Sequence, residues 1–137
     1  MPQHFQATNT VIGFDAREIS QNTIRGICDA GSNMFSLGLA GTDEMYWAVT
    51  EYNACSGIEI TASYNPINYN GLKIVKSGSR PLDDKDDFQV IKTLAENETW
   101  VENLPKDLIK DLSMETRKKY VQRTLSFLNH SNLKPLR

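Results

Sequence analysis

Apolar residues fall into short compact runs in the first half of this chain and into helical spacing in the second. The run Thr10-Val11-Ile12-Gly13-Phe14-Asp15 predicts a buried parallel strand ending at the aspartate. Ser20 is placed to cap a helix over residues 20–30, with Ile24, Ile27 and Cys28 as its apolar stripe and Gly31 as its stop. Residues 33–37 read as a second strand, and Gly38 and Gly41 bracket a turn. Thr42 then caps a helix opened by Asp43 and Glu44, charges that suit the N-terminal end of a helix dipole. Met45, Trp47, Ala48, Val49 and Tyr52 make this helix apolar on more than one side, as in a well-packed element. Ile58 and Ile60 mark a third strand that stops at Thr61, and residues 72–75 a fourth. Strand, helix, strand, helix, strand is the order of an α/β domain. The expected sheet is mixed and mostly parallel, with about four strands flanked by helices.

After Lys76 the chain turns polar, with four aspartates among residues 83–87 that read as a solvated loop. Phe88, Ile91, Leu94 and Ala95 then recur at helical spacing, and residues 97–105 read as an irregular connection. Ser113 is placed to cap a last helix whose buried face is expected at Tyr120, Val121, Leu125 and Leu128. No internal repeat and no low-complexity tract interrupts this order.

Composition narrows the partner classes. A net charge of -2 without a basic block argues against nucleic acid or an anionic membrane surface. No apolar run approaches the ~20 residues of a membrane span, and the first ten residues have neither the basic flank nor the apolar core of a signal peptide. Cys28 and Cys55 show no metal spacing and no disulfide framework, so both read as reduced packing residues. These features set the expectation of a single cytoplasmic domain.

The candidate chemistry lies between the third and fourth strands. Thr61-Ala62-Ser63-Tyr64-Asn65-Pro66 is a polar loop with turn signals at Asn65-Pro66 and Asn70-Gly71. It presents the Ser63 hydroxyl among Thr61, Asn65 and Lys73. A serine oxygen can carry a phosphoryl group as a covalent intermediate. Loop amides and a nearby cation can hold the charge that moves during transfer. Asn65 and Thr61 also suit loop shaping, since their side chains bond readily to nearby backbone. The aspartate cluster at residues 83–87 lacks the glycine and closing glutamate of a calcium loop. His4 and His130 lie outside any motif and read as surface residues.

The segment TASYNPINYNGLK resembles the phosphoserine loop of the α-D-phosphohexomutases, whose usual form is TASHNPxxYNGxK. Thr61, Ala62, Ser63, Asn65, Pro66, Tyr69, Asn70, Gly71 and Lys73 fall in register, and Tyr64 stands where the family has histidine. Residues 13–17 are similar to the family's G-x-D-x-R strand end, and residues 38–46 to the GxxGTEExY segment of its bacterial phosphomannomutase branch, which supplies GDP-mannose for capsule and O-antigen sugars. Residues 132–136 resemble the connection into the family's second domain. The resemblance thus implies one phosphohexomutase N-terminal domain over residues 1–137, trimmed at both ends, with 129–137 as a remnant of the interdomain linker.

The resemblance further implies isomerase chemistry, intramolecular phosphoryl transfer between mannose 6-phosphate and mannose 1-phosphate. Ser63 would carry the phosphoryl group, and Lys73 would stabilise charge or shuttle a proton. Thr61, Tyr64, Asn65 and Arg17, with Asp15, would shape the phosphate loop. Magnesium would bind through the Ser63 phosphate, its aspartate ligands belonging to a second domain, and a hexose 1,6-bisphosphate would act as activator. Tyrosine in place of histidine removes a group that titrates near neutrality, so impaired chemistry is expected. Isolated, the chain is expected to show little or no mutase turnover. Two other readings stay open: a non-catalytic module that forms a homo-oligomer or pairs with a complementing mutase fragment, and a degenerate gene remnant.

Overall fold

A computed structural model describes residues 9–17, 33–83, 85–97 and 109–128. Six strands form one sheet in the order β5-β4-β3-β1-β2-β6. They are β1 (Asn9–Phe14), β2 (Asn33–Leu39), β3 (Ser56–Ile60), β4 (Leu72–Lys76), β5 (Arg80–Pro81) and β6 (Ile109–Asp111). β3, β1, β2 and β6 run parallel, and β4 and β5 are added antiparallel. Three helices are described, α1 (Thr42–Glu51), α2 (Asp87–Glu96) and α3 (Ser113–Leu125). The α/β class and mostly parallel sheet are as the sequence predicts. The two strands beyond the expected four are only two and three residues long, too short to leave an apolar run in the sequence.

The core has one layer on each face of the sheet. Val11, Leu37 and Val75 pack with Met45, Ala48 and Val49 of α1, whereas Ile12, Met34, Ile58 and Ile60 form the opposite cluster. Gly57 sets the closeness of α1 to the sheet. A Cβ there would lie 2.4 Å from a methyl group of Val49 and 2.6 Å from the Met45 sulfur. At its other end α1 closes in a Schellman turn. Asn53 takes a left-handed φ of 47°, and the amides of Asn53 and Ala54 donate to the carbonyls of Thr50 and Val49.

Several expectations change. Gly41 holds the N-cap position of α1, and Thr42 is its first residue. The Thr42 hydroxyl instead accepts from the Lys73 ammonium at 3.1 Å. Leu112 precedes α3, and the Asp111 carboxylate, not Ser113, takes up a free amide there, that of Ser113 at 2.9 Å. The expected buried face of α3 is largely exposed at Val121, Leu125 and Leu128, because this helix meets the sheet mainly through its first two turns. Thr116 is buried there against the Tyr52 hydroxyl, and Tyr120 stacks on Trp47. Asp87 is not a solvated aspartate but is buried and ion-paired with Lys76. The helix expected over residues 20–30, with Cys28, His4, His130 and residues 129–137, lies outside the described residues. No helix among the described residues is long and apolar enough to cross a membrane.

Candidate active site

β1, β2 and β3 all end at the same edge of the sheet, and the chain leaves β1 for β2 on one side while β3 lies on the other. Open α/β sheets bind ligands at such a point, outside the carboxyl ends of the strands. Asp15 follows β1 there, and the loop Thr61–Gly71 follows β3. The Asp15 amide donates to the Ile60 carbonyl at 3.0 Å and the Thr61 amide to the Gly71 carbonyl at 2.9 Å, which closes the base of the loop.

A short relay of side chains fixes what the loop presents. The Thr61 hydroxyl donates to Asp15 Oδ2 at 2.8 Å and itself accepts from the Ser63 amide at 3.0 Å. Arg17 is ion-paired with the same Asp15 oxygen, and the Arg17 amide donates to Asp15 Oδ1 at 3.1 Å. The Arg17 guanidinium also reaches across 46 and 48 residues of sequence, donating to the carbonyls of Ser63 at 3.1 Å and Asn65 at 2.8 Å. The Asn65 side-chain amide donates to the Ala62 carbonyl at 2.9 Å, bending the chain back on itself. Ser63 is held in the left-handed region, φ 54°, and exposed to solvent. That backbone costs a residue with a Cβ roughly 1 kcal/mol. Here the Thr61 and Arg17 contacts on either side of Ser63 offset the cost.

Asp15, Arg17, Thr61, Ser63 and Asn65 are therefore brought together by direct hydrogen bonds. Two other sequence candidates are not. Tyr64 projects fully into solvent at the loop tip. Lys73 reaches Thr42 at the N-terminal end of α1, with no hydrogen bond to Ser63 among the described residues.

Sequence reading missed Glu59. It lies between Ile58 and Ile60, and its side chain turns to the α1 face of the sheet, where it is 1% exposed. Its register partner on β1 is Gly13, and a Cβ on that glycine would fall 2.3 Å from Glu59 Oε2. The carboxyl thus occupies the space that a side chain would fill. Oε2 has no hydrogen-bond partner among the described residues. Burial, then the nearby Asp15 charge, raises the Glu59 pKa to about 8, with Lys73 opposing and Glu44 adding to the rise. A second buried acid, Glu44 of α1, is held by Arg117 Nε, 2.9 and 3.0 Å from its two oxygens. The signal for Glu59 was an acid inside an Ile-x-Ile strand. A strand covered on both faces has no solvent side for such a residue.

Magnesium can be set against these residues. A phosphate on Ser63 would offer oxygen ligands, but no group of three acidic, histidine or cysteine side chains lies together among the described residues. Both Asp15 oxygens already accept hydrogen bonds. The described part of the chain does not by itself make a magnesium site.

The sequence model described as phosphoglucomutase/phosphomannomutase, alpha/beta/alpha domain I, matches residues 2–101. The chain belongs to this family. It is 34% identical over 131 residues to a phosphomannomutase of Vibrio cholerae serotype O1, covering 93% of this chain and 28% of that protein. It is 32% identical over 133 residues to a phosphomannomutase of Escherichia coli K12, covering 93% of this chain and 29% of that protein. A phosphomannomutase of Klebsiella pneumoniae is 40% identical over 90 residues, 63% of this chain and 57% of that one. The chain spans less than a third of the length of the first two relatives. The fold agrees with domain I of the family, and the carboxyl-edge loop lies within the matched residues.

Proposed function

We propose that this chain is the phosphoserine-loop domain of a phosphomannomutase-type reaction on hexose phosphates, with Ser63 as the residue that carries the phosphoryl group. The observation that carries the reading is the outward Ser63 hydroxyl on a strained, hydrogen-bonded loop at the carboxyl edge of a parallel sheet. In the transfer, phosphorylated Ser63 gives its phosphoryl group to the free hydroxyl of a hexose monophosphate: the sugar oxygen forms the bond to phosphorus and gives up its proton, while the bond from phosphorus to the Ser63 oxygen breaks and that oxygen takes up a proton. The hexose bisphosphate so formed reorients and returns its other phosphoryl group to Ser63 by the reverse exchange. Arg17 keeps the loop in shape through the Ser63 and Asn65 carbonyls, and Lys73, held on Thr42, offers a cation on the strand that follows the loop. With Tyr64 in place of the family's histidine the tip lacks a general acid-base residue, so transfer is slow.

Turnover requires more protein than these residues. A hexose bisphosphate must be held while it reorients, and Ser63 and Tyr64 here face open solvent. The exposed apolar residues of α3 and the turn after it, Val121, Leu125, Phe127 and Leu128, favour association with a fragment that carries the remaining mutase domains. The test is a mannose 6-phosphate assay of the purified chain, alone and mixed with a phosphomannomutase lacking its first domain. The expected result is no conversion alone, and conversion in the mixture that Ser63→Ala abolishes. Conversion by the chain alone that Ser63→Ala abolishes would overturn the need for further domains. Conversion in the mixture that survives Ser63→Ala would overturn the role of Ser63.

A further inference from the structure

The buried acid behind the loop has no place in the reaction described above, and it lies directly opposite the lysine that does. Glu59 and Lys73 are register partners across the antiparallel β3–β4 ladder, so both side chains leave the same face of the sheet. Directly opposed Cβ atoms in such a pair are about 5 Å apart, within the span of a lysine stem. Yet the Lys73 ammonium turns to the Thr42 hydroxyl, while Glu59 Oε2 has no hydrogen-bond partner among the described residues. The remaining charged groups that bear on Glu59 are both acids: Asp15 at the end of β1, and Glu44 on α1, which is already held by Arg117 of α3.

The Glu59 carboxyl fits closely against the neighbouring strand. Its oxygen sits where Gly13 lacks a Cβ, with the Ala40 side chain bordering the same space. The acid is packed into a fitted space, whereas the lysine carries its charge on a long flexible stem. An ionised carboxylate buried without a partner is strongly unfavourable, whereas a protonated one needs far less compensation.

We propose that Glu59 is a positioning residue for Lys73: as a neutral carboxyl it leaves the ammonium outward on Thr42 at the loop edge, and as a carboxylate it draws the ammonium inward. The inference rests on the reading that Lys73 serves phosphoryl transfer at the loop. It adds a control on where that cation stands. The raised pKa of Glu59, about 8, agrees with a carboxyl that is neutral in the arrangement described here. A phosphate arriving on Ser63 would then meet Lys73 as a cation not neutralised by its cross-strand neighbour.

The test needs no phosphoryl transfer, so it stands or falls apart from the reading of Ser63. The full chain, carrying carbon-13 labelled glutamate and lysine, is titrated from mildly acidic to alkaline pH and followed by NMR. The Glu59 carboxyl resonance is expected to move with a midpoint near 8, and the Lys73 side-chain resonance to move with the same midpoint. In Glu59→Gln the Lys73 transition is expected to vanish, with its low-pH signal retained throughout. In Lys73→Met the Glu59 midpoint is expected to rise, since the lysine is what lowers it. A Glu59 midpoint in the ordinary carboxylate range, or a Lys73 signal indifferent to the Glu59 transition, would overturn the proposal. If a variant fails to fold, the wild-type titration alone still supports or overturns it.

Discussion

Two glutamates lie on the same face of this sheet, both buried, and the protein treats them in opposite ways. Glu44, 5% exposed at the start of α1, is gripped by Arg117, whose guanidinium also donates to the Leu39 carbonyl. That arrangement fastens α3 to the end of β2 and the start of α1. Glu59, 1% exposed behind the loop that carries Ser63, has an oxygen with no partner among the described residues. A satisfied buried acid serves as a structural tie. An unsatisfied one beside a candidate nucleophile is a cost retained in the folded state, and such costs concentrate at functional sites.

The comparison breaks first at Glu59, where the largest effect is expected. Its pKa is raised in the folded chain, from 4.5 to about 8. Between these values the folded state keeps a proton that the unfolded state has released. Stability is therefore full below about 4.5 and is lost as pH rises toward 8. Glu59→Gln removes this loss, and at pH above 8 it should stabilise the chain on the order of 5 kcal/mol, each pKa unit being worth about 1.4 kcal/mol. At acidic pH the variant and the parent should match. Urea unfolding at the two pH values checks both statements.

A smaller effect of opposite sign is expected at the paired acid. Arg117→Met leaves Glu44 buried without its cation. Loss of one member of a fully buried pair costs about 3–5 kcal/mol. The Arg117 side chain is half exposed, so solvent screening reduces the expected loss to about 2 kcal/mol. Urea unfolding at neutral pH reads it directly. Equal behaviour of the two glutamates in these experiments would remove the distinction drawn between them.

The central fold was legible because β1 to β4 and α1 are each marked by a compact apolar run or a helical stripe. β5 and β6 were not, since edge pairs of two or three residues carry no pattern of their own. The face of α3 was misread because helical spacing says which residues align, not what covers them. At the site, the turn signals and the hydroxyl at Ser63 were visible in the local sequence. The Arg17 contacts to the Ser63 and Asn65 carbonyls were not, because they join distant segments through backbone atoms that no residue type reveals. Glu59 left a signal, an acid inside an Ile-x-Ile strand, that alternation alone does not decide. Alternation suggests a solvent face, and only the packing of α1 over β3 shows that there is none.

The most direct measurement is the intact mass of the purified chain before and after incubation with a hexose 1,6-bisphosphate and magnesium, with Ser63→Ala as the control. A gain of one phosphate by the parent chain, absent from the control, is the result predicted for a loop that accepts a phosphoryl group. No gain in the parent, or an equal gain in Ser63→Ala, would contradict the assignment of Ser63.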